Sequence, residues 1–127
     1  MTATTPSQVI EAFAASLNSG DLQGALALYE PGAVFEPEPG RRVHGLEAIG
    51  DALTGFFAIE PRISGEIQKV IEAGDVALVV NRWSLRGTDP AGQPIEMGGV
   101  SSDVMRRQPD GTWKIAIDDP WGASSRA

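Results

Sequence analysis

The sequence has no cysteine, two lysines (Lys69 and Lys114) and one histidine, His44. Without cysteine there are no disulfides and no thiolate chemistry, which fits a reducing compartment and makes a cytoplasmic location the expectation. Ten Lys and Arg against 17 Asp and Glu leave a net charge of −7, which argues against nucleic acid or an anionic membrane as partner. No apolar run approaches the ~18 residues that a membrane span needs. No basic segment followed by an apolar stretch opens the chain, so no signal peptide is expected. A lone histidine without carboxylates at ligand spacing points to no metal, and His44, just before Gly45, reads as structural. A Ser-His-Asp arrangement and a glycine-rich phosphate loop are also missing; Gly98-Gly99 falls inside a strand pattern, where a bend or bulge is the better reading. What these absences leave is carboxylate acid–base chemistry in an apolar pocket, with no cofactor.

The 127 residues are 42% hydrophobic and 21% charged, ordinary for one globular domain spanning 1–127. A chain of this size buries roughly two-thirds of its unfolded surface and needs no covalent staple. Thr5-Pro6-Ser7-Gln8 has the form of a helix start: a cap, a proline for the first turn and a capping-box glutamine. Val9, Phe13 and Leu17 then recur at helical spacing, and Asn18-Ser19-Gly20 ends the run. Asp21 caps a second helix with Leu22, Leu26 and Tyr29 on one face, closed by Pro31-Gly32. Residues 33–36 read as a short strand and 37–42 as a loop. A third helix spans about 46–59, with Leu46, Ile49, Leu53, Phe56 and Phe57 on one side and Pro61 after it. Residues 63–71, 76–86, 95–107 and 113–118 then read as strands, separated by turn-forming stretches such as Ala73-Gly74-Asp75 and Gln108-Pro109-Asp110-Gly111. The class is α+β, with three amphipathic helices available to cover one apolar sheet face. Residues 1–4 and 123–127 read as tails.

Alternation along the strands nominates side chains. On the second long strand Val76, Leu78, Val80, Arg82 and Ser84 share a face, and that apolar row is expected to line the pocket. Trp83 and Leu85 fall on the opposite face. On the third, Met97, Gly99, Ser101, Asp103 and Met105 share a face, so Asp103 is expected to point inward between Ser101 and Met105. Asp118 and Asp119 adjoin, so parity aims only one of them inward. An arginine on an apolar face needs an anion, so Arg82 is expected to pair with Asp118 inside the pocket, with Asp103 as competing partner. The plainer readings are a sheet-bonded Asp103, a solvated Glu36 beside Glu38, and a structural Arg82–Asp118 pair.

The order ααβαββββ resembles the nuclear-transport-factor-2-like superfamily. So do Gly20-Asp21, Leu28-Tyr29, His44-Gly45, Asp103-Val104-Met105-Arg106, Asp110-Gly111-Thr112-Trp113 and Asp118-Asp119-Pro120-Trp121, over nearly the whole chain. Within it the chain is most similar to SnoaL-like polyketide cyclases and ketosteroid isomerases. The resemblance implies a cone-shaped α+β fold, with three N-terminal helices packed on a curved, mostly antiparallel sheet around one small-molecule pocket. Against ketosteroid isomerases, Asp103 falls on the strand that carries their protonated oxyanion-hole aspartate. Glu36-Pro37, eight residues before His44, falls where they place a base aspartate. Tyr29 and Trp121 match pocket positions. Phe13 stands where their oxyanion-hole tyrosine would be, and Leu53 replaces another pocket tyrosine, so true ketosteroid isomerisation is not expected. Against limonene-type epoxide hydrolases, Arg82 matches the bridging arginine and Asp118 the last-strand aspartate, while Ser84 stands in for the other aspartate. SnoaL-like cyclases also place an acid/base aspartate on the last strand.

The expectation is therefore a cofactor-free enzyme acting as isomerase, cyclase or hydratase on a mostly apolar polyketide-like or terpenoid molecule. Asp118, Arg82, Asp103 and Glu36 are its candidate catalytic residues. Phe13, Tyr29, Leu53, Phe57, Leu78, Val80, Ser101, Met105 and Trp121 are its candidate substrate contacts. The alternatives are a non-catalytic ligand-binding or dimerisation module and an epoxide hydrolase-like activity. A homodimer is expected, because an outer sheet face carrying Trp83 and Leu85 would leave an apolar patch on a monomer.

Overall fold

A computed structural model describes residues 3–122 of the chain; the C-terminal stretch 123–127 lies outside the described residues. Helix α1 (Pro6–Ser19) starts where Thr5 accepts a hydrogen bond from the Gln8 amide, and ends where Gly20 takes a left-handed conformation with φ 73°. Asp21 caps the single turn of α2 (Leu22–Leu26) through the Gly24 amide at 2.9 Å. The chain then enters β1 (Tyr29–Glu38), turns into β2 (Arg41–His44), and forms α3 (Gly45–Phe57). Strands β3 (Arg62–Ala73), β4 (Val76–Thr88), β5 (Pro94–Arg107) and β6 (Trp113–Asp119) follow.

These elements make one six-stranded sheet in the order β2-β1-β6-β5-β4-β3, antiparallel except for the parallel pair β1–β6. The helices cover its inner face, where Val9, Ile49, Leu53, Val79 and Met105 are fully buried. The class and the antiparallel meander are as expected, and four differences stand out. Tyr29 opens β1 rather than extending α2. Pro31 and Gly32 lie within β1 rather than ending a helix. The stretch 37–42 contributes to a β1–β2 hairpin instead of a loop, and α3 follows two strands, so only two helices lie at the N-terminus. Residues 3 and 4 are not a loose tail either: Ala3 is buried, and its carbonyl accepts from the Trp113 amide at 2.8 Å.

Of the four register shifts in the sheet, the two on β3 and β6 set which side chains of the long strands face inward. On β3, Ile67 opposes Asn81 and Lys69 opposes Val80, so Gln68 is the extra residue. On β6, Ile115 opposes Met105 and Ile117 opposes Val104, so Ala116 is the extra residue. The second bulge decides the site. Without it, alternation from Trp113 and Ile115 would turn Asp119 inward and Asp118 outward. With it, Ile115 and Ala116 are both buried, Ile117 is exposed, and Asp118 faces in directly opposite Asp103.

On β4 the expected parity is reversed. Ala77, Val79, Asn81, Trp83 and Leu85 are buried, while Val76, Leu78, Arg82 and Ser84 are exposed. Both faces of this strand start with aliphatic residues, so alternation alone carries no sign. Trp83 and Leu85 settle it, because they form a second small core with Leu17. Arg82 therefore lies on the outer face opposite Glu66, in a shallow groove shared with Ser64, Ser84 and Val100.

Candidate functional site

Between the helices and the inner sheet face is a cavity of about 350 Å³, a size that suits a small organic ligand. Its walls are apolar: Phe13 and Leu17 from α1, Leu53 and Phe56 from α3, Ile63 and Ile67 from β3, Trp83 and Leu85 from β4. At one end the chain leaving β6 folds across, adding Pro120 and Trp121 to the lining. The Trp83 indole N–H donates to the Pro120 carbonyl at 2.7 Å, and the Trp121 indole N–H donates to the Pro37 carbonyl at 3.2 Å. The two indoles meet edge to face with centroids 5.4 Å apart.

The buried and half-buried polar part of the lining lies on β4, β5 and β6 as Asn81, Ser101, Asp103 and Asp118, while exposed Glu11 of α1 and Ser64 of β3 also line the cavity. Asp103 is 5% exposed and Ser101 4%. The Ser101 hydroxyl donates to Asp103 Oδ2 at 3.0 Å and lies 3.2 Å from the Asn81 carbonyl; the Asp119 amide donates to Asp103 Oδ1 at 3.1 Å. Across the β5–β6 ladder, Asp103 and Asp118 share a side-chain hydrogen bond. On the far side of Asp118, the hydroxyl of fully buried Tyr29 donates to its Oδ2 at 2.5 Å. The result is a chain of four side chains, Ser101–Asp103–Asp118–Tyr29, with two carboxyls in its middle.

Two adjacent carboxyls cannot both ionise cheaply. Burial, and then the charge of Asp118, raise the Asp103 pKa well above the ordinary carboxylate value, against the lowering effect of Ser101 and the Asp119 amide. Burial also raises Asp118, but the hydrogen bonds it accepts from Tyr29 and Asp103 counter that. Burial, with Asp118 beside it, pushes the Tyr29 phenol up, so it stays a donor. The dyad titrates as a pair holding one proton between them over an intermediate pH range, carried mainly by Asp103.

Tyr29→Phe removes the phenol–carboxylate bond and keeps the ring packed near Phe13 and Phe35. Urea unfolding at neutral pH should show a loss of about 1.5–3 kcal/mol, the usual range for a hydrogen bond to a charged group. A loss under about 0.5 kcal/mol would mean the phenol is not holding the carboxylate.

Of the expected site residues, the structure gathers Asp103, Asp118, Ser101, Phe13, Leu53 and Trp121 on the cavity wall. Tyr29 stands behind the wall and reaches the site through Asp118. Met105 is buried in the main core and Phe57 is half-buried against it; neither lines the cavity. Leu78 and Val80 lie on the outward parity of β4, with Leu78 exposed. Arg82 is also outward, so the expected Arg82–Asp118 ion pair inside the pocket does not form: the guanidinium and the carboxyl are on opposite faces of the sheet. Glu36 is buried but does not line the cavity; its Oε1 accepts from Arg42 Nε at 3.0 Å. Asn81 and Trp83 were missed, both because of the reversed β4 parity. Among the described residues, no group of three or more His, Asp or Glu side chains is placed to hold a metal ion.

Residues 10–116 match the sequence profile of the SnoaL-like domain, and the chain belongs to that family. The match ends two residues before Asp118. No curated protein has a sequence that matches this chain. In structure it is similar to a nuclear transport factor 2-like protein from Salmonella enterica, with TM-score 0.77 and 17% identity over 94% of this chain and 89% of that one. It is also similar to a conserved protein from Planctomyces limnophilus, with TM-score 0.78 and 19% identity over 88% of each chain. A third likeness is to a candidate ketosteroid isomerase from Shewanella frigidimarina, with TM-score 0.72 and 20% identity over 87% of this chain and 90% of that one. At these identities the likeness is one of fold: a nuclear-transport-factor-2-like α+β domain with a curved six-stranded sheet. No helix among the described residues is long and apolar enough to cross a membrane.

Proposed function

We propose that the protein is a cofactor-free acid–base enzyme that moves a proton on a mostly apolar carbonyl compound, in the manner of an isomerase, cyclase or hydratase. The single observation that carries this reading is the directly paired Asp103 and Asp118 on the wall of an apolar cavity. Burying two carboxyls side by side is unfavourable for folding alone, and such pairs recur where acid and base are needed at one point. In this reading Asp103, the neutral member, turns its one proton from Asp118 to the developing oxyanion of a bound carbonyl, which frees Asp118 to act as the base. Asp118, the ionised member held by Tyr29, removes the proton from the adjacent carbon. Ser101 and the Asp119 amide keep the Asp103 carboxyl turned into the cavity.

The test is deuterium uptake at the carbon next to the carbonyl of 1-tetralone, a bicyclic ketone small enough for the cavity. In heavy water the wild-type protein should accelerate exchange above the buffer rate, and the Asp103→Asn/Asp118→Asn double variant should not. Equal exchange by both would overturn the reading.

A non-catalytic ligand carrier is the second reading. It is favoured by Phe13, which places a ring without a hydroxyl on the cavity wall. The epoxide hydrolase-like alternative loses its arginine, since Arg82 lies outside the cavity.

We also propose a homodimer through the outer sheet face, built from residues other than those the sequence pointed to. Ile71, Leu78, Val104, Ile117 and Val34 lie side by side in register across five strands. Ile71 is 52% exposed, Ile117 43% and Leu78 38%, and Val100 adds to the same apolar face. Light scattering at micromolar concentration should give the mass of two chains for wild type, and one for Leu78→Glu, with unchanged circular dichroism. A wild-type monomer would reject the dimer.

A further inference from the structure

We propose that Asn81 orients the ligand in this cavity by accepting a hydrogen bond from it, so that the substrate is an apolar ring compound carrying a hydroxyl besides the carbonyl on which the dyad acts. This rests on the acid–base reading for the carbonyl, but not for the hydroxyl. The inward face of β4 is otherwise apolar: Ala77, Val79, Trp83 and Leu85. Asn81 interrupts it in the middle. The residue is 7% exposed and lines the cavity, and its Oδ1 is fully buried with no hydrogen-bond partner among the described residues. Buried amide oxygens are nearly always paired, because an unmade bond there costs the whole desolvation of the group. An unpaired acceptor on a residue of the cavity wall is therefore a place for a donor that a bound ligand brings, with the amide turning toward the cavity to meet it.

The surroundings keep that place for the amide. Diagonal to it on β3 is Gly65, where a Cβ would stand 3.1 Å from both Oδ1 and Nδ2. Any side chain at that position would press on the amide. Asn81 is also fixed relative to the dyad. It pairs with Ser101 across the β4–β5 ladder, and Asp103 is the next inward residue on β5. Diagonal neighbours of this kind lie roughly 7–8 Å apart along the sheet. A rigid bicyclic molecule spans that distance with its carbonyl at Asp103 and a ring hydroxyl at Asn81. Ile67 and Trp83 beside it bring no acceptor, since an indole N–H only donates and this one is spent on Pro120; the neighbouring acceptor is the Ser101 hydroxyl, which is already engaged with Asp103. The apolar lining in turn selects the ring body.

The experiment compares 1-tetralone with 5-, 6- and 7-hydroxy-1-tetralone and the matching methoxy compounds, which are larger but cannot donate. Binding is read from quenching of tryptophan fluorescence, Trp83 and Trp121 both being in the wall. In wild type, at least one hydroxytetralone should bind tenfold or more tightly than both 1-tetralone and its own methoxy counterpart. In Asn81→Leu, and in the smaller Asn81→Val, that preference should fall below twofold. The melting temperature of at least one of these variants should equal or exceed that of wild type, because an unpaired buried acceptor has been removed. No hydroxyl preference in wild type, including no binding of any hydroxytetralone, would overturn the proposal. So would a preference that survives in Asn81→Leu or Asn81→Val. These are equilibrium measurements and involve no turnover. Absent deuterium exchange with the hydroxyl preference intact would sink the enzyme reading alone; exchange without the preference would sink the role of Asn81 alone.

Discussion

Replacing Asp118 by asparagine should lower the rate of proton exchange on 1-tetralone by about 10²–10⁴-fold, the usual contribution of a positioned general base. The argument is one of protonation states. An asparagine at 118 accepts from Tyr29 as the carboxylate does, so the network closes, but the amide has no basic lone pair to take a proton from carbon. Asp103→Asn should be milder, roughly 10-fold to 10²-fold. Its amide still donates a hydrogen bond toward the ligand oxygen, although it cannot hand over a proton, and losing a whole oxyanion donor is worth ~10²–10³. The two variants should also differ in pH profile. Wild type should give a bell whose limbs belong to the pair rather than to either residue. At low pH both carboxyls are protonated and the base is lost; at high pH both are ionised and the acid is lost. Both folded pKa values are raised, chiefly by burial, so the bell is displaced toward alkaline pH. In Asp103→Asn only Asp118 remains, and the alkaline limb should disappear. Equal losses in the two variants with an unchanged bell would assign the titrations to other groups.

The fold was legible from the chain because its local signals agree with one another. Thr5 and Asp21 cap the helices they were expected to cap, and Gly20 stops α1. The four long strands fall within two residues of their expected bounds. The inward face of β5 was also legible, since Ser101, Asp103 and Met105 alternate with exposed or half-buried neighbours. The β4 parity was not, because Val76, Leu78 and Val80 on one face match Ala77 and Val79 on the other in apolar character. A five-residue connection between Thr88 and Pro94 pairs odd positions of β4 with odd positions of β5. The correct β5 face therefore implied the β4 face once that length was known, and turn residues alone do not set it. Asp118 was placed inward for a reason sequence alternation cannot supply, the bulge at Ala116. Glu36 shows a third limit. Its place before Pro37 was read correctly as a position in the chain, yet Arg42, on the adjoining hairpin strand, holds the carboxylate instead of the cavity.

A stability comparison between wild type and the Asp103→Asn/Asp118→Asn double variant should change with pH in one direction. Burial raises the folded pKa of Asp103 and of Asp118, with the Asp118 charge adding to the first. In the unfolded chain both return to about 3.9. Between that value and the folded ones, the native state binds more protons than the unfolded state. The derivative of unfolding free energy with pH, 2.303RT(ν_U − ν_N), is then negative for this pair, so its contribution to stability falls as pH rises. Below pH ~4 the carboxyls are protonated in both states, and an Asn pair resembles them closely. The double variant and wild type should therefore differ least there. As pH rises through the folded pKa values, the double variant should gain on wild type by up to about 1.4 kcal/mol per pH unit for each proton by which the states differ. The gain should level off once both groups are ionised in both states. Taking the difference matters, because paired carboxylates such as Glu30 with Arg106 and Glu36 with Arg42 are common to both proteins and cancel. Urea titrations at pH steps from 4 to 9 provide the measurement. A gap that stays constant over that range, or narrows toward alkaline pH, would mean the two carboxyls ionise as freely in the fold as outside it. The dyad would then have lost the property on which its proposed chemistry depends.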